Sequence, residues 1–238
     1  MVQLLFAIVL LASTVSGQSP FRVSVHSIGD KIWPGSPAIF AVSLFPNGAE
    51  AVGVNEGEVT LVVRDSSGQI AQWPLTPVLR IRFPLSLKPL SLATEYWLLS
   101  EEQSAAIEKG RYEIEAKVGA VTSRKLRLTV SEIPTEETTN EAAKRLRLVA
   151  SFQALSGDAG ASLATLLEGV VRYPDHIPLH YELALAHIAA GAVSEAQSAV
   201  RKAIALFEER FPEAEHAPVE YLRLRDSIDW GLIEKVKP

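Results

Sequence analysis

The chain has 238 residues, a net charge of −5, 47% hydrophobic residues and no cysteine. That composition suits a folded protein long enough for two domains, and it excludes disulfides, a thiol nucleophile and a lipid-anchored cysteine. The acidic balance, with no basic tail, argues against nucleic acid and anionic lipid as partners.

Residues 1–17 read as a signal peptide. The nine-residue apolar run LLFAIVLLA (residues 4–12) is followed by small residues, and Val15-Ser16-Gly17 supplies a cleavage pattern. The run is far shorter than the roughly 20 residues a membrane span requires, and no other stretch reaches that length, so no span is expected in the mature chain. Cysteine-free export points to the bacterial periplasm or the extracellular medium.

Residues 18–131 read as β. Period-two alternation between turn signals predicts strands at 21–28, 37–45, 58–64, 78–83, 94–99, 111–118 and 124–130. Seven short strands, each with one wet face, fit an antiparallel sandwich. In RYEIEAKV (residues 111–118), Tyr112, Ile114, Ala116 and Val118 face one way and the charged residues the other. Ser100-Glu101-Glu102-Gln103 is a capping box announcing one helical turn. The sequence Glu108-Lys109-Gly110-Arg111-Tyr112-Glu113-Ile114 resembles the tyrosine corner of immunoglobulin-like domains. That resemblance implies a β-sandwich whose Tyr112 hydroxyl ties the turn back to its own backbone.

Residues 132–140 are a polar linker, and Thr138 with Glu141 forms a second capping box. From 141 to 238 the period is helical, predicting helices at 141–155, 160–173, 178–190, 194–210 and 217–236. Two copies are offset by 34 residues: Gly157 matches Gly191, Ala150 matches Ala184, Ser162 matches Ala196 and Gly169 matches Ala203. A unit that cannot bury its own apolar face stacks on a copy of itself, so the period predicts helical hairpins.

The copies, 143–176 and 177–210, resemble tetratricopeptide repeats, with His180 in place of a large apolar residue and Glu208 in place of proline. The resemblance implies a groove that binds a segment of another protein. Carried over by position, the groove would present Lys144, Arg147, Ser151, Leu155, Tyr181, Leu185 and Ile188.

No phosphate loop, serine elbow or zinc-protease motif occurs in the chain. His180 and His187, two turns apart, fall where helices pack and are expected as packed side chains rather than zinc ligands. No cofactor or metal is expected. Trp33, Trp73, Tyr96 and Trp97 supply a rival function, a stacking platform for sugar on the sandwich; a third reading is a hydrolase with a site between the domains. The favoured expectation is an exported, non-catalytic adaptor or scaffold protein that binds a protein partner.

If the signal reading holds, exported protein begins at Gln18. Intact-mass spectrometry finding Met1 on the exported form would overturn it.

Overall fold

The structure, a computed structural model, describes residues 19–233 apart from Asp30 and Glu56. The proposed signal peptide and residues 234–236 of the last predicted helix lie outside the described residues.

Among the described residues ten strands precede five long helices. The strands are β1 (Phe21–Ser27), β2 (Ala38–Pro46), β3 (Val52–Val54), β4 (Val59–Asp65), β5 (Thr76–Val78), β6 (Leu85–Leu87), β7 (Ala93–Leu99), β8 (Gly110–Val118), β9 (Val121–Thr122) and β10 (Leu126–Val130). A short helix α1 (Glu101–Ala105) lies between β7 and β8. Then come α2 (Thr139–Leu155), α3 (Ala159–Arg172), α4 (Ile177–Ala189), α5 (Val193–Arg210) and α6 (Val219–Asp229).

Strand pairing is antiparallel throughout these elements. One sheet runs β1-β2-β7-β5, a second β10-β8-β4 with β9 beside β8, and β3 pairs with β6. The two larger sheets share a core: Phe40 from the first packs among Val63, Tyr112 and Ile114 from the second. Alternation along β8 is strict, with Tyr112, Ile114, Ala116 and Val118 buried. Both capping boxes form, at Ser100–Gln103 and at Thr138–Glu141. The Tyr112 hydroxyl donates to the Glu108 carbonyl at 2.8 Å. Trp73 meets the Tyr112 ring edge-on at 4.9 Å.

Three expectations need correction. The predicted strand 78–83 does not form. Leu79 takes φ of +49°, which turns the chain out of the extended region. Beyond it the Ile81 N–H donates to the buried Glu95 carboxylate at 2.9 Å instead of joining a ladder. Second, β2 has no wet face: residues 38–44 are buried on both sides, because Ile39 lies under helix α2 and the Ser43 hydroxyl is hydrogen-bonded to Thr94 at 2.9 Å. Third, the last helix stops at Asp229. Gly231, with φ of +65°, ends it by sending its N–H to Ile228 while the Leu232 N–H reaches Ser227.

That ending is the same one used twice before. At Gly157 (φ +90°) and Gly191 (φ +74°) the chain turns through the left-handed region, and the following N–H groups close onto Gln153 and His187. Successive helices pack on one another around a single apolar cluster that includes Ala150, Leu166, Leu183, Ala184, Val200 and Ala203. Small residues sit where helices cross. A Cβ added at Gly169 would stand 3.0 Å from the Leu179 side chain, so α3 and α4 approach as closely as glycine allows.

The helices are docked on the sheet. Leu148, Phe152 and Leu155 of α2 pack against Ile39, Val78, Tyr96 and Leu98 on the outer face of the four-stranded sheet.

Removing the corner hydroxyl by Tyr112→Phe is expected to cost roughly 1 kcal/mol, and Arg111→Ala much less, as read by urea denaturation. Ala184→Leu and Ala203→Leu enlarge fully buried side chains and are expected to cost about 1–3 kcal/mol each. Circular dichroism should show loss of helix with the β-signal retained.

Candidate binding cleft

A cleft of about 380 Å³ opens where the β1–β2 connection faces the N-terminal half of α2. The connection supplies Ile28, Gly29, Lys31 and Trp33; α2 supplies Glu141, Lys144, Arg145, Arg147, Leu148 and Ser151; α4 supplies Glu182.

Both walls are held in place by backbone chemistry. Ile32 forms a parallel bridge to Val130, its N–H donating to Thr129 at 3.2 Å and its carbonyl accepting from Ser131 at 3.1 Å. With Ile32 buried, its neighbours Lys31 and Trp33 are directed away from that anchor. The Gly35 N–H donates to the Ser104 hydroxyl at 3.1 Å, pinning the far end of the connection to α1. On the other wall, Glu141 accepts the Thr138 N–H at 3.0 Å and its hydroxyl at 2.8 Å, which sets where α2 begins.

Among the described residues lining the cleft, cations outnumber carboxylates: Lys31, Lys144, Arg145 and Arg147 face Glu141 and Glu182. Their commitments differ. Arg145 grips Glu137 through two bonds of 3.1 and 2.8 Å. Arg147 reaches across from α2 to Glu182 of α4, its Nε at 2.8 Å from the carboxylate and its Nη2 on the same oxygen. Burial pushes the Glu182 carboxyl up from its ordinary range, and Arg147 opposes that shift. The Thr138 backbone and hydroxyl hold Glu141 below the usual range. Among the described residues Lys31 and Lys144 are in no ion pair, and both are exposed.

Such a cleft can attract and orient an anion. It is poorly arranged for acid–base work: Glu141 is engaged in its cap, Glu182 is neutralised by Arg147, and no histidine lines the walls.

The predicted groove residues divide. Lys144, Arg147 and Ser151 come together in the cleft. Leu155 instead packs on the sheet. Tyr181 stacks on Tyr221 of α6 with ring centroids 4.5 Å apart, Ile188 packs on the helical core, and Leu185 is left 41% exposed. Ile28, Lys31 and Glu182 were not anticipated as site residues, and Trp33 only as part of a sugar platform. Only Glu182 had a legible signal, an acid lying about one repeat beyond Arg147 on the matching helix. The aromatics of the sugar-platform reading do not share a face. Trp73 and Trp97 pack in the core between the sheets, Tyr96 lies against α2, and Trp33 lines the cleft.

His180 is buried, its Nε2 donating to the Pro174 carbonyl at 2.7 Å. No group of His, Asp and Glu among the described residues is gathered to hold a metal ion. His176 begins α4 with its Nδ1 buried and without a partner among the described residues. Burial, then Arg147 and Arg210, pull its pKa down to about 4.

No protein-family model matches the chain, and no curated protein does. Among solved structures, one similar chain is a family 123 glycoside hydrolase from Clostridium perfringens, with a TM-score of 0.30 and 12% identity over 52% of this chain and 29% of that one. Another is Spo0M, a sporulation control protein from Bacillus subtilis, with a TM-score of 0.29 and 12% identity over 53% of each chain. This chain thus spans less than a third of the first and about half of the second. Likeness at that level carries no information on chemistry.

Two predictions arise from the charges. Arg147→Ala strands the half-buried Glu182 and is expected to cost about 1–3 kcal/mol, much of it recovered in the Arg147→Ala/Glu182→Gln double variant. With the Glu182→Gln single variant completing the cycle, a double-variant loss equal to the sum of the two single losses would show that the pair is not coupled. His176 is held neutral in the fold, whereas the unfolded chain protonates it near pH 6.5. Its contribution to stability is therefore present at neutral pH and is lost as pH falls from about 6.5 toward 4. His176→Gln should flatten the fall in urea midpoint between those pH values.

Proposed function

We propose that the chain is an exported, non-catalytic adaptor in which an immunoglobulin-like sandwich carries a short tetratricopeptide-type array that binds a protein partner. The observation that carries this reading is the burial of the small residues at the 34-residue spacing. Ala150, Ser162, Ala184, Ala196 and Ala203 all lie within the helical packing, and Gly157 and Gly191 take matching left-handed turns. Further support comes from the strand orders β1-β2-β7-β5 and β10-β8-β4, the four-plus-three arrangement of constant-type immunoglobulin domains, and from the Tyr112 hydroxyl bond to Glu108. Among the described residues no helix is long and apolar enough to cross a membrane.

The repeat reading makes the first helices of the hairpins, α2 and α4, the partner-facing ones. Lys144 and Ser151 on α2, with the exposed Leu185 on α4, are the groove residues left available after Leu155, Tyr181 and Ile188 are used in packing and Arg147 is paired with Glu182.

The test is site-specific photo-crosslinking in the native host, using the full chain with a photoreactive residue at Leu185 or, as control, at Lys88. A discrete adduct from position 185 and none from position 88 is the expected result. Absence of any protein adduct from position 185, and from position 144 probed in the same way, would remove the adaptor reading.

A further inference from the structure

We infer that the cleft between the β1–β2 connection and α2 is a composite site for an acidic segment of a partner protein, with carboxylates received by Lys31 of the sheet domain and Lys144 of the helical domain. This deepens the adaptor reading and rests on it.

The argument is one of charge left over after internal pairing. The chain as a whole is acidic, at −5, yet among the described residues lining this cleft four cations stand against two carboxylates. Arg145 is matched by Glu137 and Arg147 by Glu182, while Glu141 caps α2 and, still charged, acts on both Lys31 and Lys144, so two lysines stand against one remaining carboxylate. Lys31 and Lys144 remain, exposed and without an ion pair among the described residues. They come from two separate folding units and share one cavity. Two positive charges across one concave space raise the local concentration of anions and their rate of arrival.

Lysines are flexible point charges, suited to carboxylates whose exact direction is not set, whereas a planar arginine fork would demand bidentate geometry. Between them the cleft is not purely polar. Ile28 is 38% exposed at its rim, and Trp33 and Leu148 line its wall. The Ser151 hydroxyl lines it too, and makes no hydrogen bond among the described residues. A volume of about 380 Å³ lies at the small end of ligand pockets, enough for a few side chains rather than a whole domain. An apolar residue flanked by Asp or Glu in an extended or helical segment matches this lining.

The probe is a fluorescein-labelled dodecapeptide with a central Leu flanked by Glu, set against an isostere with Gln at every Glu. Fluorescence anisotropy with the full chain at low salt is expected to give binding at least about tenfold tighter for the acidic peptide, weakening steeply as salt screens the lysines. Lys31→Glu and Lys144→Glu should each weaken it at least about fivefold and the pair should abolish it. Lys88→Glu, on an exposed loop outside the cleft, should leave it unchanged. All these lysines are exposed, and circular dichroism would confirm that each variant folds. Equal binding of the two peptides, no binding of either, or retention in the double variant would overturn the inference. An effect of Lys144→Glu without one of Lys31→Glu would overturn its composite character. Persistence of the photo-adduct at Leu185 in a chain carrying both Glu substitutions would likewise sink the acidic site while leaving the adaptor reading intact.

Discussion

The contact between α2 and the outer face of the four-stranded sheet is the constraint on which the rest of the molecule depends. Ile39 is completely buried and Leu98 is 3% exposed, although both stand on the face of the sheet that points away from its own core. An apolar patch in that position would face water if the helices were removed. Leu148, itself 8% exposed, covers it together with Phe152 and Leu155. Burying a side chain of this size contributes about 1.5–3 kcal/mol, so three or four of them hold two units together against the freedom of a linker. The same docking brings the N-terminal half of α2 alongside the β1–β2 connection. The cleft is a product of that interface rather than of either unit alone.

The charged residues of α2 act on a second level. Arg147 ties α2 to α4 through Glu182, residues about one repeat apart that meet because the helices stack. A pair of this kind contributes little net stability when weighed against its desolvation, but removing one member leaves a stranded charge. Its effect is directional, because Arg147 is drawn toward α4. Lys144, one turn earlier, has no such tether. The helix thus divides its cations between structure and solvent, and the pairing pattern is what distinguishes them.

Much of this was legible in the sequence, and the failures have a common cause. Strand β8 and the two capping boxes depend on neighbours a few residues away, and they were read as they stand. The glycine turns at Gly157 and Gly191 are local too, and Gly231 obeys the same rule at the end of α6. What escaped depends on distant partners. The run from Pro37 to Phe45 looked like a strand with one wet face because nothing nearby announces that α2 will cover Ile39. The segment 78–83 alternates as a strand would, but the buried Glu95 captures the Ile81 N–H that a ladder would use. Three-residue strands such as β3 and β6 are too short to carry a period. The loop wall of the cleft was missed for the same reason: Lys31 looks like an ordinary loop residue, and Trp33 like part of a sugar platform, until Ile32 is bridged to Val130.

A stack of helices has two ends, and each end exposes an apolar face that must be closed. In this molecule the two are closed differently. At the far end α6 lies over α4 and α5, with Tyr221 stacked on Tyr181 and Asp229 held by Gln197 and Arg201. At the near end no extra helix is needed, because the β-sheet itself supplies the covering surface through Ile39, Val78, Tyr96 and Leu98. A sheet used as a cap brings its own loops to the helix ends. Those loops carry side chains that no helix of the stack would place there, Lys31 and Trp33 among them. Any ligand bound in the cleft touches both units and so favours the docked state over the undocked one in proportion to its occupancy. Stability of the interface and affinity at the cleft are then two readings of one equilibrium.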